Sequence, residues 1–204
     1  METGWLLVTV STAGASASLR VHVWRRLRSL GALYLQQSVC LLPASDTTVR
    51  AVRRLADRVH RDGGHAGVLQ LALTEPREEA AVIEQFRQER AGEYAEVLER
   101  IPSLLAELDQ EHARGRVTYA EVEESEADLE RFRSWLGRIR ARDYFDAPGR
   151  TEAQAAVERC AAALAAFEAE ALAAEAPDSS ARPVAGLPSA RHAARPAADG
   201  ERGS

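Results

Sequence analysis

The sequence predicts an α+β chain, a small unit of strands and helices followed by helices alone. Three observations predict it. Up to about residue 75, apolar alternation and helical periodicity follow one another in the order strand, helix, strand, strand, helix, strand. From Pro76 to about Ala174 the period is helical throughout. From Pro177 the composition turns to Ala, Pro, Ser, Gly and Arg without any period. The first pattern is that of the split βαβ, or ferredoxin-like βαββαβ, unit. The expected organisation is residues 1–75 as a ferredoxin-like domain, 76–175 as an all-helical extension packed on the sheet, and 176–204 as a disordered tail.

Each element has a local reason. WLLVTV (5–10) is β-branched and apolar on both faces, so it reads as a buried strand. Leu19, Val23, Leu27 and Leu30 recur at helical spacing over 18–30, and Gly31 stands where a C-cap glycine belongs. ALYLQQ and SVCLLP follow as short strands, the second ended by Pro43. Val49, Val52, Leu55, Ala56 and Val59 mark a second amphipathic helix over 46–62, closed by Gly63-Gly64, and HAGVLQLALT (65–74) is the last strand. Further on, Val82, Phe86, Tyr94, Val97, Ile101, Leu105 and Leu108 share a stripe, with Pro102 as a kink or a new helix start. Thr118–Glu121 and Thr151–Gln154 read as capping boxes opening two further helices. Trp5, Leu7 and Thr9 alternate with Leu6, Val8 and Val10, so both sheet faces are apolar and two helices cover only one. The other face would forgo about 25 cal/mol per Å² left in water. The later helices or a second copy must cover it.

Charge is divided unevenly in a chain of formal charge −5. Residues 1–74 hold nine arginines and four acids, while 75–176 hold thirteen arginines and twenty-four acids. Lysine is absent. No apolar run is long enough for a membrane span, and the N-terminus lacks the positive region of a signal peptide, so a cytoplasmic protein is expected. Cys40 and Cys160 lack metal-ligand spacing and read as reduced thiols. The five histidines are scattered, and no carboxylate follows the first strand to hold a catalytic metal. Neither a nucleophile elbow nor a triad context is present. The expectation is a protein that is not an enzyme and uses no metal or cofactor.

The residues that invite a ligand are basic. Arg20, Trp24 and Arg28 are spaced four and four on one stripe of the first helix, with Arg25 beside them. Such a ladder can stack by cation–π contact and hold guanidinium forks outward. Arg50, Arg54, Arg58 and Arg61 form a row on the second helix. These forks suit phosphate or another tetrahedral oxyanion; equally, they suit the chain's own acidic helices, which composition alone favours. Tyr34 is expected to be buried under the helices, and Asp143 to pair with Arg140 or Arg142 at a helix end.

WLLV, the string RVHVWRRLRSLGA, LQQSVCLLP and the later TYAEVEESEADLERF and WLGRIRARDYFDAPGR together resemble the N-terminal domain of the ChrB family of chromate-resistance regulatory proteins. The similarity runs from residue 4 to about residue 170 and rests on Arg20, Trp24, Arg25, Gly31 and Arg142-Asp143-Tyr144-Phe145 in conjunction. The strand–helix–strand order with LGA and SVCLLP more faintly resembles the middle domain of PaaX-type repressors. The resemblance implies a bacterial protein that senses chromate and binds DNA to control an efflux operon. It shifts the reading of the arginines towards an external anion, with Arg20, Trp24, Arg25, Arg28, Arg50 and Arg54 as the contact set and Gly31, Arg142 and Asp143 as structural motif. The competing expectation is a homodimeric interaction module whose arginines bind its own acidic helices or a partner protein.

Overall fold

The computed structural model describes residues 4–113 and 119–175. The tail expected from 176 and the cap expected at Thr118 lie outside them. The N-terminal part is β1 (Trp5–Ser11), α1 (Ala17–Ser29), β2 (Leu33–Gln36), β3 (Val39–Pro43), α2 (Asp46–Arg61) and β4 (His65–Leu71). Three helices follow: α3 (Pro76–Ala113), α4 (Tyr119–Arg140) and α5 (Arg150–Glu175). The four strands form one antiparallel sheet in the order β2-β3-β1-β4.

Local chemistry sets the boundaries. Ser16 caps α1 by accepting from the Leu19 amide at 3.2 Å. At the other end Gly31 has φ 67°, its N–H donates to Arg28 O and the Ala32 N–H donates to Leu27 O. That is the double bond of a Schellman stop, which a left-handed glycine permits. Ser45 and Thr48 form a reciprocal capping box on α2. β4 ends at Leu71, three residues short of the expected Thr74, because Leu71 already faces Trp5, where β1 starts; beyond it the ladder has no partner.

α1 and α2 cover one sheet face, with Leu19, Val23, Leu27, Val52, Leu55 and Val59 packed on Leu6, Val8, Cys40 and Leu42. The second face is covered from the helical side. Trp5, Leu33 and Leu41 pack with Phe86 of α3, and Tyr144 and Phe145 lie against them. Trp5 is fully buried, its ring 5.8 Å from both Phe86 and Phe145, and its indole N–H donates to Glu79 at 3.3 Å. The cover is incomplete: Leu35 and Leu69 on this face remain 47% and 60% exposed.

α3 therefore serves two cores. Val82, Ile83 and Phe86 pack on the sheet, whereas Tyr94, Val97, Ile101, Leu104 and Leu108 pack with α4 and α5. Pro102 lies exposed inside this single helix and does not begin a new one. α5 starts one residue before the expected cap. The Gly149 carbonyl, at φ 87°, takes the first intrahelical bond from Ala153, so Thr151 falls in the first turn and Gln154 donates to Glu158 instead.

The two parts are fastened where α1 ends. Arg90, in the first half of α3, is 5% exposed and lies against Gly31, with Arg142 beside it. Glu93 accepts from Arg142 at 2.7 Å and lies 3.5 Å from Arg90, which also bonds Glu89 at 2.9 Å. The Tyr144 hydroxyl donates to Leu30 O at 2.7 Å, satisfying a carbonyl at the helix end. A Cβ on Gly31 would sit 2.8 Å from Arg90 Nη1 and 2.9 Å from Arg142 Cβ. Gly31→Ala is thus expected to lose roughly 1–3 kcal/mol of stability through left-handed backbone and overlap. It should read out as a lower urea midpoint at unchanged slope; an unchanged midpoint would mean that both arginines step aside freely.

Candidate functional site

The expected contact residues are all on α1 and α2, the two helices that cover one sheet face. Arg20, Trp24, Arg25 and Arg28 of α1 and Arg50 and Arg54 of α2 are all exposed, because Leu19, Val23 and Leu27 and then Val52, Leu55 and Val59 take the inward stripes. Among the described residues, none of these arginines pairs with a carboxylate of α3, α4 or α5, and the salt bridge of this layer is Arg58 to Asp62 at 3.4 Å. Four acids of the later part pair instead with arginines from α3 onward: Glu89 and Glu93 with Arg90, Glu93 with Arg142, Asp128 with Arg131, Asp146 with Arg150. Among the described residues, then, the arginines of α1 and α2 are not neutralised by the acidic helices.

Within the layer, Trp24 is 49% exposed and the Arg28 guanidinium lies 5.3 Å from its ring centre. That is one side of the expected ladder. Arg20 lines a cleft of about 140 Å³ with Trp24, Tyr34, Gln37 and Ser38, and the Cys40 thiol is at its buried end. Tyr34 is 38% exposed at the rim rather than buried under the helices. β2 is an edge strand of four residues with a bulge between Tyr34 and Gln36, so no helix reaches across it. Partial burial raises the Tyr34 phenol, the nearby Cys40 adds to this, and Arg28 opposes it. Burial alone pushes the Cys40 thiol up to about 12.

The motif residues have a different role from the contact residues. Asp143 pairs with neither Arg140 nor Arg142. The chain turns after α4, and its side chain enters the bundle, accepting from the Tyr94 hydroxyl at 3.0 Å and from the Ala147 amide at 3.0 Å, with Arg150 at 3.9 Å. Burial, and then this bond to Asp143, raise the Tyr94 phenol. Arg142 spans to Glu93 and Gly31, Tyr144 to the end of α1, and Phe145 to Trp5. Arg142, Tyr144 and Phe145 thus hold the two parts together, while Asp143 fixes the turn within the bundle.

Two features escaped sequence reasoning. Arg90 falls on the stripe between Phe86 and Tyr94, and a charge at an inward position was the available signal. A groove of about 930 Å³ runs between α3 and α4, with Arg100 stacked 5.1 Å from the Trp135 ring; no sequence pattern pairs those positions. Among the described residues, no group of three His, Cys, Asp or Glu could hold a metal ion, and no helix is long and apolar enough to cross a membrane.

Comparison with known proteins draws on these same residues. The family model described as Protein ChrB, N-terminal, matches residues 20–177. The chain belongs to that family. Protein ChrB of Cupriavidus metallidurans is 29% identical over 107 residues, a stretch that covers 52% of this chain and 32% of that relative. The match thus spans about a third of the relative's own length. No solved structure matches. The family's matched region takes in α1 from Arg20 onward, the Gly31 stop and the RDYF segment.

The raised thiol carries a prediction. A folded Cys40 stays protonated where an unfolded chain's thiol, at an ordinary 9.0, ionises. The stability it contributes is present below about pH 9 and is lost as pH rises towards 12. Near neutral pH, Cys40 is expected to react with a disulfide reagent only as fast as the protein unfolds, as peptide mapping of the modified thiols would show. Rapid labelling of folded protein would contradict its burial.

Proposed function

We propose that this protein is a non-enzymatic regulator of chromate resistance, binding DNA phosphates through its arginine layer and responding to an oxyanion at the same face. The observation that carries the reading is the exposure of Arg20, Arg25, Arg28, Arg50 and Arg54 on the two helices that cover one sheet face, without carboxylate partners among the described residues. Membership of the ChrB family supports the chromate context. Chromate is a tetrahedral dianion, and paired N–H donors of arginine match it as they match phosphate. The strand order with α1 and α2 on one face supports a ferredoxin-like βαββαβ reading of residues 1–75, carrying a helical extension over 76–175. A DNA-binding role places the protein in the cytoplasm.

Arg20→Ala combined with Arg28→Ala tests this. In a folded double variant, DNA affinity is expected to drop, and the log–log salt slope to lessen by about 0.9 for each phosphate no longer neutralised. Calorimetry with chromate, using sulfate as control, should show weaker heat in the same variant. If retention of DNA and response to chromate both match the wild type, the arginine layer is not the site.

A second reading is favoured by the uncovered leucines. Leu35 and Leu69 leave part of the sheet open, which suits a homodimeric interaction module. Leu69→Glu is expected to shift a concentration-dependent dimer to monomer in sedimentation velocity while leaving DNA binding in place. A wild type that stays monomeric at every concentration would remove this reading.

A further inference from the structure

Phosphate and oxyanion contact need only guanidinium groups, yet two aromatic rings stand among them. Trp24 is 49% exposed and Tyr34 is 38% exposed, in a protein whose other tryptophan of the N-terminal unit, Trp5, is fully buried. Holding an indole in water forgoes the transfer free energy that burial would give. Both rings border the cleft of about 140 Å³, room for a single flat ring system. Arg20 lines the same cleft, and the Arg28 guanidinium sits 5.3 Å from the Trp24 ring centre. Ser38 and Gln37 bring a hydroxyl and an amide to its rim. A stacking surface, cations within one residue's reach of it, and donors and acceptors at the edge are together what a nucleotide requires.

We propose that the Trp24–Tyr34 cleft stacks an unpaired nucleobase of a nucleic-acid strand whose neighbouring phosphates lie on Arg20 and Arg28. The inference rests on the nucleic-acid reading above and narrows it to a strand with at least one base out of the stack. Bases inside a duplex cover one another's faces and offer only their edges to a groove. An exposed ring on the protein therefore gains its stacking contact only from a strand that is single, melted or bent open. Stacking of this kind is tolerant of sequence, since every base has a π-face.

The test uses the full chain and fluorescence anisotropy with three labelled probes of equal length: an oligothymidylate strand, the same strand with abasic sites, and a duplex. Trp24→Ala is expected to weaken oligothymidylate binding about tenfold, within the range for one base stacked on an aromatic side chain. Trp24→Phe should restore most of it. The salt slope should stay at the wild-type value in both, since no phosphate contact is removed, whereas Arg20→Ala should lessen it. The abasic strand should bind wild type and Trp24→Ala alike. Oligothymidylate bound equally by wild type and Trp24→Ala, with the duplex still bound, overturns the stacking cleft and leaves the DNA reading standing. A weaker hold of Trp24→Ala on the abasic strand also overturns it, for the tryptophan would then be supporting the fold. A wild type that binds none of the three probes removes both assignments.

Discussion

The structure depends on how α1 ends. Gly31 turns the chain in the left-handed region, and the absent Cβ lets the Arg90 guanidinium and the stem of Arg142 reach the helix terminus. Tyr144 closes the contact through the Leu30 carbonyl. A cation at a helix C-terminus is favoured by the helix dipole, and that partly offsets the cost of taking Arg90 out of water. Glu89 and Glu93 add to this at Nη2, while Nε and Nη1 have no hydrogen-bond partner among the described residues. Apolar residues of similar volume could fill such a joint, but a guanidinium between two carboxylates fixes direction as well as distance. With that register set, α3 is aimed so that Phe86 meets Trp5 on the sheet while Tyr94, two turns on, meets Asp143 in the bundle.

The same joint separates two electrostatic regions. The helix layer of α1 and α2 presents its arginines to solvent, and Glu89, Glu93, Asp128 and Asp146 of the later part pair with Arg90, Arg131, Arg142 and Arg150. A chain of net charge −5 can still offer a positive surface, because the excess of acids is carried by residues 75–176. A polyanion approaching this molecule would be drawn towards one side and turned from the other, so orientation is set before contact.

Much of the fold was legible in the sequence because its causes are local. Period-2 and period-3.6 patterns place the strands and helices, Gly31 marks the end of α1, and the two-faced apolarity of WLLVTV requires the second layer that α3 and Phe145 provide. What was not legible depends on contacts between distant residues. Asp143 has arginines one and three residues before it, yet its partners are Tyr94 and Arg150, selected by the turn after α4. Tyr34 looked like a core residue until β2 proved to be a bulged edge strand. The arginines of the candidate site were visible as a charge pattern, whereas their lack of carboxylate partners among the described residues is a property of packing. The α3–α4 groove needs two helices in register, which no single window of sequence encodes.

The thiol at the inner end of the cleft has a further consequence for any sensor of an oxidising anion. Cys40 is 1% exposed, and burial holds it in the protonated form, which is a poor electron donor compared with a thiolate. A dianion resting on Arg20 would meet no ready reductant beside it. On the proposal that an oxyanion binds there, its occupancy would be reversible rather than ended by reduction at Cys40.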